Sequence, residues 1–258
     1  MSASTPPRVW ITGASSGIGQ ALAQCYAQRG VMLGLVARRA DALAEVAASL
    51  PGEHACYVAD VTQPDTLKLA ASQFCERFGV PDIVIANAGV SVGTLTEEPD
   101  DFAAFDKVFR TNVLGMVATF RPFVKEMRRR GSGHLVGVSS VAGVRGLPGA
   151  GAYSASKAAA SRYLESLRVE LHGTGIKVTD IRPGYIRTPM TAVNPYRMPF
   201  MLDADEAARR FVAAIERGAG QATIPWQMSL VAKLLPLVPN ALYDHFASRV
   251  KRKPRGIL

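Results

Sequence analysis

Thr12-Gly13-Ala14-Ser15-Ser16-Gly17-Ile18-Gly19 decides the fold of this chain. It follows Arg8-Val9-Trp10-Ile11, an apolar, β-prone run, and it opens a helical stretch that continues to about Arg29 before Gly30 stops it. Gly13 permits a tight turn, Gly17 lets backbone N–H groups approach a pyrophosphate, and Gly19 lets helix and strand pack closely. The helix N-terminus adds partial positive charge. Glycines occur in many strand-to-helix turns, so the weight of the motif rests on its position between a strand and a helix.

Working outward, the same alternation recurs. Residues 31–37, 55–58, 83–85, 135–138, 177–181 and 223–224 read as strands. Helical stretches run to Leu50 and over 65–78, 102–130 and 152–171, with Pro122 at an expected bend. Strands that are continuous apolar runs are buried on both faces. Repeated βα units imply right-handed crossovers and one doubly wound parallel sheet. No linker or internal repeat divides the chain. The expectation is an α/β, Rossmann-type single domain over residues 1–225, followed by an apolar and basic extension over 226–258.

The 258 residues suffice for one large core, and 48% hydrophobic with 20% charged residues is ordinary for a globular protein. No apolar run reaches the roughly 18 residues that span a bilayer. Met1 to Pro7 is short and polar, so no signal peptide is expected and the protein reads as cytoplasmic. Cys25, Cys56 and Cys75 match no disulfide or metal spacing and are expected to be buried, reduced thiols. The four histidines form no HxxxH or HExxH pair, and no metal site is expected.

The net charge of +9 is uneven. Arg128-Arg129-Arg130 ends a helix, where cations complement the dipole. Beyond Pro225, Lys233, Arg249, Lys251, Arg252, Lys253 and Arg255 face one acid, Asp244. No nucleic-acid partner is expected, because the cations lie mostly in one tail without RRM, helix-turn-helix or zinc spacing. Trp226, Leu230, Leu234, Leu235, Leu242 and Phe246 beside these cations fit a peripheral contact with the inner face of a membrane, or packing on the domain or a partner subunit. Pro236 and Pro239 interrupt any long amphipathic helix and favour packing.

Tyr153-Ser154-Ala155-Ser156-Lys157 places a phenol and an amine at i and i+4, on one helix face. Reduction of a carbonyl needs a proton donor as hydride reaches the carbon. A free phenol has a pKa of about 10, and an ammonium one turn away can bring it down. Ser139-Ser140 ends the fifth strand at the carboxyl edge of the sheet, where ligands of such folds bind. The second strand ends Arg38-Arg39 with no acid. A carboxylate there would bond the ribose 2′-OH of NAD, whereas an Arg fork binds the 2′-phosphate of NADP(H), so NADP (NADPH) is expected over NAD.

With the spacing G-x3-G-x-G, these residues resemble the short-chain dehydrogenase/reductase family, whose fingerprint is TGxxxGxG. The resemblance covers residues 8 to about 225. It implies hydride transfer between a nicotinamide cofactor and a carbonyl or alcohol, with Ser140, Tyr153, Lys157 and Asn112 as the catalytic set. It implies that Ser16 and Ile18 join the glycines in binding the cofactor, that Ser15 adds a hydroxyl to the 2′-phosphate beside Arg38 and Arg39, and that Asp60-Val61 holds the adenine. Asn87-Ala88-Gly89 matches a motif that often reads NNAG, with Ala86 departing in the first place. Asn112 is implied to kink its helix and support a water relay to Lys157, which also bonds the nicotinamide ribose beside Tyr153. Pro183-Gly184, the Ile186 backbone and the Thr188 hydroxyl are implied to fix the carboxamide. Residues 191–202, with Val193, Tyr196, Met198, Phe200 and Met201, match the substrate lid and suggest an apolar or lipid-like substrate. Relatives assemble as homodimers or homotetramers through the long helices flanking the fifth strand. The competing reading is a non-catalytic NADP-binding sensor or scaffold, which would keep the glycine loop and lose Ser140, Tyr153 and Lys157.

Overall fold

The computed structural model describes residues 6–256. The polar start at 1–5 and the last two positions of the extension lie outside the described residues. In chain order the elements are β1 (Arg8–Thr12), α1 (Gly17–Ala27), β2 (Met32–Ala37), α2 (Ala40–Ala48), β3 (His54–Val58), α3 (Pro64–Phe78) and β4 (Ile83–Ala86). There follow α4 (Asp101–Phe109), α5 (Gly115–Arg130), β5 (Gly133–Val138), α6 (Gly151–Glu170), β6 (Ile176–Pro183), β7 (Ile186–Arg187), α7 (Pro189–Ala192) and β8 (Leu202–Asp203). The chain continues through α8 (Ala204–Glu216), β9 (Gln221–Ile224), α9 (Trp226–Leu234) and α10 (Asn240–Ala247).

Seven strands form one parallel sheet in the order β3-β2-β1-β4-β5-β6-β9. The chain works outward from β1 to one edge, then returns to build the other half from β4. The order therefore reverses between β1 and β4, and the carboxyl ends of the strands open a crevice there. Helices α1, α2 and α8 cover one face through Leu22, Tyr26, Leu43, Val46, Phe211 and Ile215. Helices α3, α5 and α6 cover the other through Leu67, Phe74, Phe120, Phe123, Met127 and Leu164. Trp10 is fully buried, with Tyr57, Phe74 and Phe123 ring centroids at 5.2, 5.3 and 5.4 Å. Gly34 on the neighbouring strand makes this possible, since a Cβ there would lie 2.6 Å from the Trp10 ring and 2.7 Å from Phe74.

Two expectations need correction. The stretch expected as one helix over 102–130 is instead α4 and α5 joined by a single π-turn over Arg110–Leu114, and Pro122 lies inside α5. The cysteines are free but not buried: Cys56 is exposed, and Cys25 and Cys75 are half-buried. Cys56 lies on β3, an edge strand, and its exposed side chain and that of Val58 flank the buried Tyr57. A strand covered on one side only alternates in and out.

His134 on β5 is 7% exposed, with Nε2 2.7 Å from Thr179 Oγ1. Thr179 gives its own proton to the Ala219 carbonyl, so His134 must donate to Thr179 as the neutral Nε2–H tautomer. Burial, helped by Lys177, pushes the imidazole from 6.5 down to about 4. The unfolded chain then binds a proton that the folded chain refuses. The stability from the neutral imidazole is complete above pH 6.5 and is lost as pH falls towards 4, amounting to about 3 kcal/mol. Denaturant midpoints at pH 7 and pH 5 check this. His134→Gln should lose much of the parent's fall between the two; an unchanged fall assigns the acid sensitivity elsewhere.

Candidate active site

The turn after β1 is built as its glycines require. Gly13 and Gly17 have φ of +71° and +56°, which side chains adopt at a cost. A Cβ on Gly19 would lie 2.1 Å from the Gly13 carbonyl oxygen, so the helix could not approach its strand. Asn87, at the end of β4, donates from Nδ2 to the carbonyls of Thr12 (3.1 Å) and Gly13 (3.3 Å), tying the loop to the far side of the crevice.

The crevice continues as two linked clefts. One is lined by Gly13, Ser15, Ser16, Arg38, Arg39, Val61 and Thr111, among others. The next, of about 790 Å³, is lined by Gly17, Ile18, Asn87, Lys157, Ile186 and Thr188, among others. Gly13, Ser16, Ala88 and Gly89 line both. Glycine-lined walls, an α-helix N-terminus and exposed guanidinium groups at one end fit an elongated dinucleotide. The buried Thr111 hydroxyl has no partner among the described residues and lines the first cleft, a polar group consistent with a polar ligand.

At that end, Arg39 Nη2 lies 3.4 Å from Ser15 Oγ and 3.3 Å from Ser16 Oγ. Arg38 faces Asp60 at 3.6 Å. Asp60 is not among the residues that line the cleft, and it accepts from the Thr62 backbone and hydroxyl, each at 2.8 Å. Burial works to raise its pKa, but the Thr62 bonds and the Arg38 charge outweigh that and hold it below the ordinary carboxylate value. Of the expected pair, then, Val61 lines the cleft and Asp60 braces the wall.

At the other end, Ser140 follows β5 in extended backbone and its Oγ accepts from the Ala142 amide at 3.1 Å. The Ser140 hydroxyl reaches Pro183 O only at 3.4 Å, a weak tie that leaves it free to turn. Ser139 is structural, donating to Asp180 and held within the sheet. Helix α6 carries Tyr153 and Lys157 on one face, with Lys157 Nζ 5.8 Å from the Tyr153 ring centroid and 2.8 Å from the Val138 carbonyl. Burial brings the Lys157 amine down to about 8, with Asp180 working against it. In the chain alone the Tyr153 phenol is not depressed as expected. Burial pushes it up, and the neighbouring Ser140 hydroxyl pulls the other way.

Asn112 occupies the π-turn. Its Oδ1 accepts from Val90 N at 2.8 Å, and its Nδ2 donates to Val90 O and Ser156 Oγ, each at 3.0 Å. A π-turn adds one residue to a helical turn and re-aims a side chain, a device found often at functional sites. Asn112 makes no hydrogen bond to Lys157. The two meet across Gly89, where a Cβ would lie 3.2 Å from Asn112 Oδ1 and 3.5 Å from Lys157 Nζ.

A third cleft, of about 870 Å³, joins the second along Ser140, Tyr153, Pro183, Gly184, Met190 and Thr191. Its remaining wall includes Tyr185, Tyr196, Met228, Val231, Leu235, Ser91, Arg145 and Lys253. Of the expected lid residues, Tyr196 lines it, whereas Val193 and Phe200 are exposed. The pairing of β7 with β8 and the short α7 hold this segment, and a Thr188 capping box, completed by Thr191, closes α7. The contributions of Ser91, Arg145 and Lys253 were not anticipated. Helix α9 packs on β9, and Tyr243 donates to Gly146 O at 2.5 Å, so the extension folds back over the domain. Its outward side leaves Trp226, Leu234, Leu237 and Phe246 exposed. No helix among the described residues is long and apolar enough to cross a membrane.

A family model described as short chain dehydrogenase matches residues 7–197. An uncharacterized oxidoreductase of Myxococcus xanthus is 40% identical over 93% of this chain and 96% of its own. Dehydrogenase/reductase SDR family member 7B of Mus musculus is 37% identical over 96% of this chain and 82% of its own. Among solved structures, L-sorbose reductase from Gluconobacter frateurii, complexed with NADPH and L-sorbose, superposes with a TM-score of 0.76 at 28% identity. The match covers 85% of this chain and 94% of that one.

Proposed function

The chain belongs to the short-chain dehydrogenase family and is an oxidoreductase of that kind, and from that premise we propose that it interconverts a ketone and a secondary alcohol with NADP(H), on an apolar substrate. One observation carries the reading. Among the residues shared by the dinucleotide cleft and the apolar cleft, Tyr153 alone is ionisable, and Ser140 stands beside it.

Bound in its cleft, the reduced nicotinamide supplies a hydride to a carbonyl carbon, and the oxidised form takes one from the alcohol. The chain's own residues handle the proton and the geometry. Tyr153 gives its phenolic proton to the carbonyl oxygen and takes it back in the reverse direction. Burial raises its pKa, which keeps the phenol protonated at neutral pH and suits it to reduction. The Ser140 hydroxyl turns from Pro183 O to donate to the same oxygen and fixes it against the phenol. Lys157, mostly protonated below its value of about 8, holds ribose hydroxyls and favours the phenolate left after transfer. Asn112, clamped on Val90 and Ser156, positions the helix that faces Lys157.

NADP(H) is favoured over NAD(H) by the end of β2. Arg39, with Ser15 and Ser16 in reach of its guanidinium, forms a cationic, hydroxyl-rich corner for a 2′-phosphate. The sorbose reductase of similar fold is complexed with NADPH, which supports the same reading.

The test follows loss of reduced-nicotinamide absorbance with a panel of apolar ketones, using NADPH and NADH in parallel. Consumption faster with NADPH is expected. Tight cofactor binding with no ketone consumed would favour a sensor on the same scaffold.

A further inference from the structure

After α10 the chain turns back across the mouth of the apolar cleft as a strap. Gly93 N donates to Pro254 O at 2.9 Å, and Arg255 pairs with Asp101 at 2.8 Å and Glu98 at 2.9 Å. Gly93 is required, since a Cβ there would lie 2.2 Å from the Lys253 carbonyl. The strap drives Lys253 inward until it is 8% exposed. Its ammonium donates to Ser91 Oγ at 2.9 Å and reaches Met190 O at 3.5 Å. Lys253 and Ser91 line the same cleft as Tyr153 and Ser140.

Among the described residues, Lys253 meets no carboxylate, and no acidic side chain lines the cleft. The acids on the strap's path, Glu98 and Asp101, are taken by Arg255. The other cation of the cleft, Arg145, is spent on the carbonyls of Leu235, Val238 and the Asn240 side chain. A desolvated ammonium with only neutral partners is costly, and an anionic group brought into the cleft would offset that cost. Burial alone lowers its pKa to about 8, with no acid offsetting it, yet it stays mostly charged at neutral pH.

Ser91 Oγ accepts the Lys253 proton and donates to no residue described, so its own O–H remains free to point at a ligand. One ammonium N–H and one hydroxyl O–H match the two oxygens of a carboxylate. A phosphate, with three terminal oxygens and more charge, would find too few free donors. We propose that Lys253 and Ser91 seat a carboxylate of the substrate, which is then an apolar oxo acid or hydroxy acid reacting at Tyr153. This rests on the carbonyl reductase reading for its chemistry, though the seat itself does not.

The test uses the full chain saturated with NADP and calorimetric titration with octanoate and octanamide. The parent should bind octanoate on the order of 30-fold more tightly, the scale of a charged hydrogen-bonded pair. Lys253→Met should bring that ratio close to one, and Ser91→Ala should shrink it while leaving the ammonium in place. In turnover, kcat/KM for an apolar oxo acid over its methyl ester should fall in the same order across parent, Ser91→Ala and Lys253→Met. These ratios are insensitive to general loss of folded protein. Equal binding of the two probes by the parent, or an acid preference unchanged in Lys253→Met, overturns the seat. Ketones reduced without acid preference also overturn it and leave the reductase reading standing. Selective octanoate binding with no carbonyl reduced supports the seat and overturns the reductase reading.

Discussion

Tyr153→Phe is expected to lower kcat for ketone reduction by about a thousandfold, the scale of removing a positioned general acid. The substitution deletes one oxygen and keeps the ring that packs 5.8 Å from Lys157, so the melting temperature and NADPH affinity should move far less than turnover. A pH profile gives the signature that a packing role would not. Reduction needs the protonated phenol, and burial raises its pKa, so the parent's reduction rate should hold through neutral pH and fall in alkaline solution as Lys157 loses its charge and the phenol ionises. Oxidation of the alcohol needs the ionised form and should rise over the same range. Both limbs should vanish in Tyr153→Phe. A variant retaining more than about a hundredth of the parent's kcat would remove the phenol from the chemistry.

The second large effect concerns the cofactor. Arg39→Ala should raise KM for NADPH by about 30-fold, equivalent to about 2 kcal/mol for the charged hydrogen bonds to a 2′-phosphate. KM for NADH should change far less, because a ribose hydroxyl offers the guanidinium only a neutral acceptor in place of a charged one. Arg38 is the weaker partner, since Asp60 already faces it at 3.6 Å and is held ionised by Thr62. Arg39→Asp should go further and reverse the preference, by repelling the phosphate and accepting from the ribose hydroxyl. Steady-state kinetics with both cofactors checks this. An Arg39→Ala protein with an unchanged NADPH to NADH ratio would take Arg39 out of cofactor selection.

The parts of the fold and site that were legible in the sequence are those fixed by local constraints. The glycine turn is readable because Gly13, Gly17 and Gly19 answer to steric limits a few residues away. The pairing of Tyr153 with Lys157 needs only one helical turn, and the strands β1, β2 and β4 are apolar or nearly apolar runs of fitting length. What escaped depends on distant partners. A π-turn changes helical phase by one residue, and only Asn112, a poor helix former, hinted at it. Helix α8 lies between the lid and the last strand, where no helix is expected, and its Phe211, Val212 and Ile215 complete one face of the core. Cys56 is exposed because β3 is an edge, which strand composition does not reveal. Lys253 sits in a run of cations that reads as part of a membrane-facing or packed extension, with nothing in it to mark one cation for the cleft. Only the bridge to Gly93 and the Arg255 pairs bring it inside.

The most direct measurement supplies NADPH deuterated at the transferable ring position together with an apolar oxo acid, and reads the product alcohol by mass spectrometry. The account predicts one deuterium on the carbinol carbon with the parent and almost no alcohol with Tyr153→Phe. Alcohol formed without deuterium, or formed equally well by both proteins, contradicts it.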